Sequence, residues 1–193
     1  LTDDFALDIS AYYKDNYNQV GLVYVAAVPT PYYMYTVSEY GSARGIEFTL
    51  RKRPTDHIQL NLNYNLSFAT TTGSSPGSNY LVAVDPYTGK QAFPLAEFPY
   101  GGDRTHRVNA IIDFLWGSKQ GPSIAGIYPL ENTIINLSGF FQTGTPYSRQ
   151  DRSGNVISEF NSERLPSVWG VDMRLQKGFN LRDWFGDAAG NSR

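Results

Sequence analysis

The chain has 193 residues, 15% aromatic and 18% charged, with a formal net charge of −2 at pH 7. Cysteine is absent, which excludes a disulfide framework and a thiolate metal site, and the slight acidity argues against a nucleic-acid partner. No run of about 18 apolar residues occurs, which excludes a transmembrane helix but not a membrane barrel, whose strands hide their apolar residues in alternation.

In chain order, residues 5–14 form the first predicted strand, with Phe5, Leu7, Ile9, Ala11 and Tyr13 on one face and Asp8, Ser10 and Lys14 on the other. The start, with Leu1, Thr2, Asp3 and Asp4 running almost directly into that strand, reads as the interior of a longer protein. Residues 15–40 hold Pro29, Pro31 and a Tyr/Met cluster; they are too apolar for disorder and too irregular for one strand, so a structured loop is expected. Residues 40–53 are the second strand, with Ile46, Phe48 and Leu50 against Glu47, Thr49 and Arg51, and a tight turn at Pro54, Thr55, Asp56 and His57 follows.

The third strand, residues 58–69, alternates most strictly. Ile58, Leu60, Leu62, Tyr64, Leu66 and Phe68 occupy one face and Gln59, Asn61, Asn63, Asn65 and Ser67 the other. Asn is a poor strand former, so a ladder of amides needs a wet, hydrogen-bonding wall to face. The run is close to the 9–11 residues, roughly, that cross a membrane when tilted. Residues 70–105 make a long connection rich in Gly, Ser, Pro and Thr, within which Asp85, Pro86 and Gly89 suggest a small hairpin between apolar patches at 81–84 and 92–95.

Residues 106–116 are the fourth strand, with Val108, Ala110, Ile112, Phe114 and Trp116 on its apolar face. A link containing a short helical turn leads to the fifth strand, residues 133–147, and a polar loop leads to the sixth, residues 166–179. In the tail, Leu181, Trp184 and Phe185 form an apolar group without a strand.

The connections alternate in length, long after the first, third and fifth strands and short after the second, which is the asymmetry of an outer-membrane barrel with long loops outside. Phe114, Trp116 and Phe179 would form one aromatic girdle, and Tyr13, Phe68 and Tyr147 the other. The competing architecture is a soluble antiparallel sandwich, which also alternates. Strand length, loop asymmetry and an apolar face free of charge in its central span favour an all-β, antiparallel transmembrane barrel segment of six strands with long extracellular loops.

Five local patterns then resemble the C-terminal part of the barrel of TonB-dependent receptors, in the expected order over about 175 residues. Ala11-Tyr12-Tyr13-Lys14-Asp15 is similar to that family's "aYykd" strand end, and Gly41, Ala43, Arg44, Gly45, Ile46 and Glu47 to its "n.g.a..rGiE" strand start. Asp103, Arg104, His106 and Arg107 resemble "D.rH", and Gln142, Gly144, Thr145, Pro146 and Tyr147 resemble "q.GtPy". Arg164, Pro166, Asp172, Arg174, Leu175 and Lys177 resemble "R.Ps…D.rl.K.f". The resemblance implies a fragment of a barrel of about 22 strands that takes up a scarce solute: an iron chelate, cobalamin, an oligosaccharide or a peptide. It also implies the lipid bilayer and a TonB-type coupling protein as partners. The family's plug, its coupling box and its closing strands lie outside this sequence.

Candidate functional residues fall in two sets. Asp8, Lys14, Glu47, Arg51, Arg107, Asp113, Asp172 and Arg174 are expected to face the lumen, where they touch a plug, line a solute path, or pair across strands as ordinary wall charges. Tyr32, Tyr33, Tyr35, Tyr80, Tyr87, Phe93, Phe98 and Tyr100 are expected in extracellular loops, as stacking platforms for a solute or partner or as loop packing. His57 and His106 sit near opposite ends of the predicted barrel, and no catalytic set or phosphate cradle is recognisable, so neither enzyme activity, a metal nor a cofactor is expected. Two other functions compete with uptake: a barrel anchoring a surface assembly such as a lipoprotein complex, and a soluble carbohydrate-binding sandwich.

Overall fold

A computed structural model describes residues 3–25, 27–73, 96–154 and 156–179. Among them there is no helix, and the strands are β1 (Phe5–Val25), β2 (Tyr32–Thr55), β3 (Ile58–Thr71), β4 (Phe98–Pro99), β5 (His106–Trp116), β6 (Thr133–Gln142), β7 (Pro146–Tyr147), β8 (Glu163–Arg164) and β9 (Val168–Lys177). The main sheet is an antiparallel meander in the order β1-β2-β3-β5-β6-β9, with β4 added to the end of β3 and a separate β7–β8 ribbon.

Paired residues in a ladder share a face, so the registers carry the alternation of β3 across the sheet. One row runs Leu7, Leu50, Leu62, Ala110, Gly139, Val171, and the next runs Ile9, Phe48, Tyr64, Val108, Phe141, Trp169. The reverse side carries Asp8, Thr49, Asn63, Asn109, and beside them Ser10, Glu47, Asn65, Arg107, Gln142. The basic side chains on the apolar side lie toward its two ends. Lys52 folds its Nζ onto the Thr55 and Ile58 carbonyls, 2.7 and 3.1 Å away, at the end where β2 turns into β3 (the turn end). Arg44 lies between Tyr13 and Phe68 toward the opposite, loop end.

No second layer covers the apolar side among the described residues. Phe98, the buried hydrophobic residue among those described, pairs with Thr71 and so belongs to the polar side, whereas on the apolar side Trp169, Val171, Met173 and Leu175 are between 63% and 72% exposed. A sandwich would bury such a face against an opposing sheet, and the described sheet has none.

Four local expectations change. Residues 15–40 are not a loop: β1 continues to Val25 and β2 starts at Tyr32, forming one long hairpin. The ladder shifts register between Asn16 and Gln19 and again at Val20, with Asn18 at φ 62°, and each slip breaks the period that would have revealed a strand. The fifth strand ends at Gln142 rather than 147, because a Cβ at Gly144 would overlap the Leu165 carbonyl and Pro146 lacks an N–H; Pro146 and Tyr147 pair with Arg164 and Glu163 instead. The sixth strand spans Val168–Lys177 rather than 166–179. Between β5 and β6 an isolated bridge of Ile124 with Ile127 replaces the expected helical turn. The hairpin expected within 74–95 and the apolar group of the tail lie outside the described residues.

The link from β2 to β3 is a two-residue reversal. Thr55 pairs with Ile58, while Asp56 and His57 take φ of 52° and 66°, the left-handed pair that a strand hairpin of right-handed twist selects. His57 donates from Nδ1 to the Leu115 carbonyl at 3.0 Å and stacks on Trp116, which ties the turn to the next strand.

Candidate functional site

The polar side of the sheet is a hydrogen-bonded wall. The Asn65 amide donates to Glu47 Oε1 at 2.8 Å, the Thr49 hydroxyl to Asn63 Oδ1 at 2.9 Å, and the Asn136 amide to Asp113 Oδ1 at 2.6 Å. Each amide thereby satisfies a neighbour across the ladder, which explains how Asn is tolerated in mid-strand. Asp8, Lys14, Glu47, Arg51, Arg107, Asp113, Asp172 and Arg174 all occupy this side by register. They are spread along it rather than gathered. Asp8 and Arg51 stand 3.9 Å apart and well exposed, and Lys14 lies over the Tyr12 ring. Among the described residues no three His, Asp or Glu converge as a metal would require.

Toward the loop end, glycines create room for larger neighbours. A Cβ on Gly45 would stand 2.7 Å from the Tyr12 hydroxyl and 2.5 Å from the Leu66 carbonyl, so the Tyr12 ring lies across a position that only glycine leaves open. Tyr12 and Gly45 are direct ladder partners, and they belong to two of the sequence patterns singled out above.

Above that level, Asp103 organises the rim. Its carboxylate accepts the Ala69 N–H at 3.0 Å, the Thr105 hydroxyl at 3.3 Å and the Arg164 guanidinium at 2.5 Å. Arg164 also donates to the carbonyls of Asp103 and Gly144. Asn161 donates to the Pro99 carbonyl at 2.8 Å, and Phe98 meets Phe160 edge-on with centroids 4.6 Å apart. The β3–β5 and β6–β9 connections are thus clamped together. Nothing in the spacing of these residues announced the pairing, although Asp103 and Arg164 each begin a recognisable pattern. His106 is turned away from Asp103, with its Nδ1 2.9 Å from the Tyr64 hydroxyl on the apolar side.

The aromatic set divides. Tyr32, Tyr33 and Tyr35 are exposed but stand on β2, paired with Val25, Tyr24 and Leu22, not in a loop. Phe98 is 7% exposed and packed on Phe160, so it offers no stacking surface to a solute. Tyr100 is exposed and lines a cavity. Tyr80, Tyr87 and Phe93 lie outside the described residues.

That cavity, of about 560 Å³, sits between β1, β2 and β3 and is bordered by Asn16, Gln19, Glu39, Gly41, Thr71 and Tyr100. Glu39 is buried, its Oε1 has no hydrogen-bond partner, and burial pushes the carboxyl pKa up. No signal in the sequence pointed to Glu39, because the register slips hid the strand that carries it.

No family model and no curated protein matches the sequence. Among solved structures, the chain is similar to the outer membrane transporter YddB from Escherichia coli, with 10% sequence identity and a TM-score of 0.51 over 91% of this chain. The chain spans 24% of the length of that transporter. At this identity the likeness is one of fold: an antiparallel, all-β sheet like part of an outer-membrane barrel protein.

Proposed function

We propose that the chain supplies six staves to the wall of an outer-membrane TonB-dependent receptor that takes up a scarce solute through a plugged barrel. The observation that carries this is the single-layer meander with an uncovered apolar side and a hydrogen-bonded polar side. Such a sheet is unstable in water on its apolar side and dry on neither, but between hydrocarbon and a wet lumen both sides are satisfied. The six main strands among the described residues are too few to close, since membrane barrels have at least about eight, so in this reading further staves complete the wall. The fold likeness to part of an outer membrane transporter supports the same reading.

In this reading the turn at Asp56 and His57 faces the periplasm, and the β1–β2 hairpin and the Asp103 rim stand outside the cell. The lipid bilayer and a TonB-type coupling protein are the implied partners, and no catalytic step is assigned. The test is fractionation and uptake with the full-length protein. It is expected in the outer membrane, with solute accumulation abolished by a protonophore. Recovery in the soluble fraction without detergent would sink the barrel and favour the sugar-binding sandwich, whereas membrane residence without energised accumulation would leave only a wall.

One observation favours a second reading, a barrel docking a surface assembly. From Gly41 to Tyr32 the second strand runs about 30 Å beyond the girdle level at roughly 3.3 Å per residue, and it carries exposed Tyr32, Tyr35 and Val37. An apolar-studded ribbon of this kind suits a protein partner such as a surface lipoprotein. Native purification distinguishes the two, with a stoichiometric partner expected only for docking.

A further inference from the structure

The cavity beside Glu39 is the part of the sheet that wall-building does not explain. Glu39 is 4% exposed, and its Oε1 is screened from solvent and without a hydrogen-bond partner. A buried carboxylate left unpaired is costly, and the cost is removed either by a proton or by a cation placed against it. Among the described residues that border the cavity there is no Lys, Arg or His to supply the cation.

The surroundings suit a small cationic group. Gly41, Ala43, Ala69 and Gly73 keep side-chain bulk out, and a Cβ on Gly73 would overlap the Glu39 carboxyl itself. Asn16 and Gln19 offer neutral amide oxygens, and the exposed Tyr100 offers a ring face that attracts ammonium and guanidinium ions. A calcium-like ion is a poorer fit, since it asks for about six to eight oxygen ligands with several carboxylates, and Glu39 is the one carboxylate among the described residues bordering the cavity. The exposed Asn16, Val20 and Tyr100 bring the cavity to the surface at the loop end, which gives a solute access.

We propose that this cavity takes the protonated amine or guanidinium end of a small solute, with Glu39 as its counter-ion. The assignment deepens the uptake reading by giving the solute a positive charge, and it rests on that reading.

The experiment uses the full-length protein in detergent and three fluorescent probes that share one dye: dansylcadaverine (a primary amine), dansylamide (uncharged) and dansylglycine (a carboxylate). In the wild type, affinity is expected to follow charge, with amine above neutral and neutral above acid. Glu39→Gln, which keeps the shape, is expected to weaken amine binding about tenfold or more and to leave the neutral probe unchanged. Equal affinity for the three probes in the wild type overturns the site without any variant, and so does undiminished amine binding by a folded Glu39→Gln protein. Uptake is scored separately in cells. Charge-selective binding without energised uptake upholds the site and sinks its transport role, whereas energised amine uptake indifferent to Glu39→Gln overturns the site and leaves the uptake reading standing.

Discussion

The Asp103 carboxylate accepts from the Arg164 guanidinium at 2.5 Å, joining two connections whose anchoring residues are 61 positions apart. The Asp103 side chain is 3% exposed and that of Arg164 is 35% exposed, so the acid is buried and the base reaches in from the surface. With the Ala69 N–H and the Thr105 hydroxyl also bound, both carboxylate oxygens of Asp103 accept hydrogen bonds. The pair explains physically why an Asp before β5 and an Arg before β9 begin two of the patterns that mark this sequence: each is the other's partner.

Removing one member should expose that dependence. Arg164→Met leaves a buried, partly paired carboxylate and is expected to cost about 2–3 kcal/mol, below the range of roughly 3–5 for a fully buried pair because Arg164 is one-third exposed. Asp103→Asn keeps an acceptor for the Ala69 N–H and should cost less. Limited proteolysis would read the effect as faster cleavage in the 143–165 connection for Arg164→Met. Unchanged cleavage would show that the clamp does not hold the rim.

Gly45 gives a second prediction, in the opposite direction of size. A Cβ there stands 2.7 Å from the Tyr12 hydroxyl and 2.5 Å from the Leu66 carbonyl. Gly45→Ala is expected to destabilise by about 1–3 kcal/mol through overpacking. Adding Tyr12→Ala should recover part of this and not all, since the backbone clash with Leu66 remains. A double-mutant cycle on urea unfolding in lipid vesicles measures the coupling, and strict additivity would refute the contact.

Much of this architecture is legible in residues 58–68 alone. Their strict period of two, passed along the ladders, places all eight charged candidates on the polar side, as the alternation of their own strands indicates. What sequence reading misses has local causes. The slips at Asn16, Gln19 and Val20 break the period and make the part of β1 from residue 15 onward look like a loop, while residues 5–14 of the same strand keep their alternation. Past Gln142 the ladder stops because Gly144 admits the Leu165 backbone, a contact between distant positions that local alternation does not show, and Pro146 cannot donate to the sheet. Glu39 and its cavity depend on three strands meeting, and Asp103 meets Arg164 only after the sheet has brought two distant connections together. Pairings across such separations leave no trace in spacing.

Glu39 makes stability depend on pH in the unusual sense. Burial raises its folded-state pKa, so between the unfolded value of about 4.3 and the raised folded value the native protein holds a proton that the unfolded chain has released. Stability in that window falls as pH rises, and above it the full penalty is present. In amine-free buffer, Glu39→Gln should match the wild type near pH 4 and be the more stable protein at pH 7. Hydrogen exchange of the β1–β2 hairpin checks this as the ratio of protection factors between the two proteins. A ratio constant with pH would mean that Glu39 is not buried as a free carboxyl.

The facing of the two sides is open to the most direct test. Leu62 stands in the row Leu50, Leu62, Ala110, and Asn61 stands on the reverse side between Arg51 and Ile111. If the apolar side meets hydrocarbon, Leu62→Arg places a charge near the middle of the bilayer and costs about 2–4 kcal/mol. Asn61→Lys places its charge in the wet lumen beside Arg51, where like-charge repulsion across the ladder costs about 0.2–1 kcal/mol. Urea unfolding of the full-length protein in vesicles gives both numbers in one host. Costs in the order Leu62→Arg well above Asn61→Lys are expected, and equal costs would refute the assigned facing. In a water-soluble sandwich Leu62→Arg would also be costly, so the same pair is measured in detergent micelles of shorter chain length. There the Leu62→Arg penalty should shrink as the apolar layer thins, while a protein core would leave it unchanged.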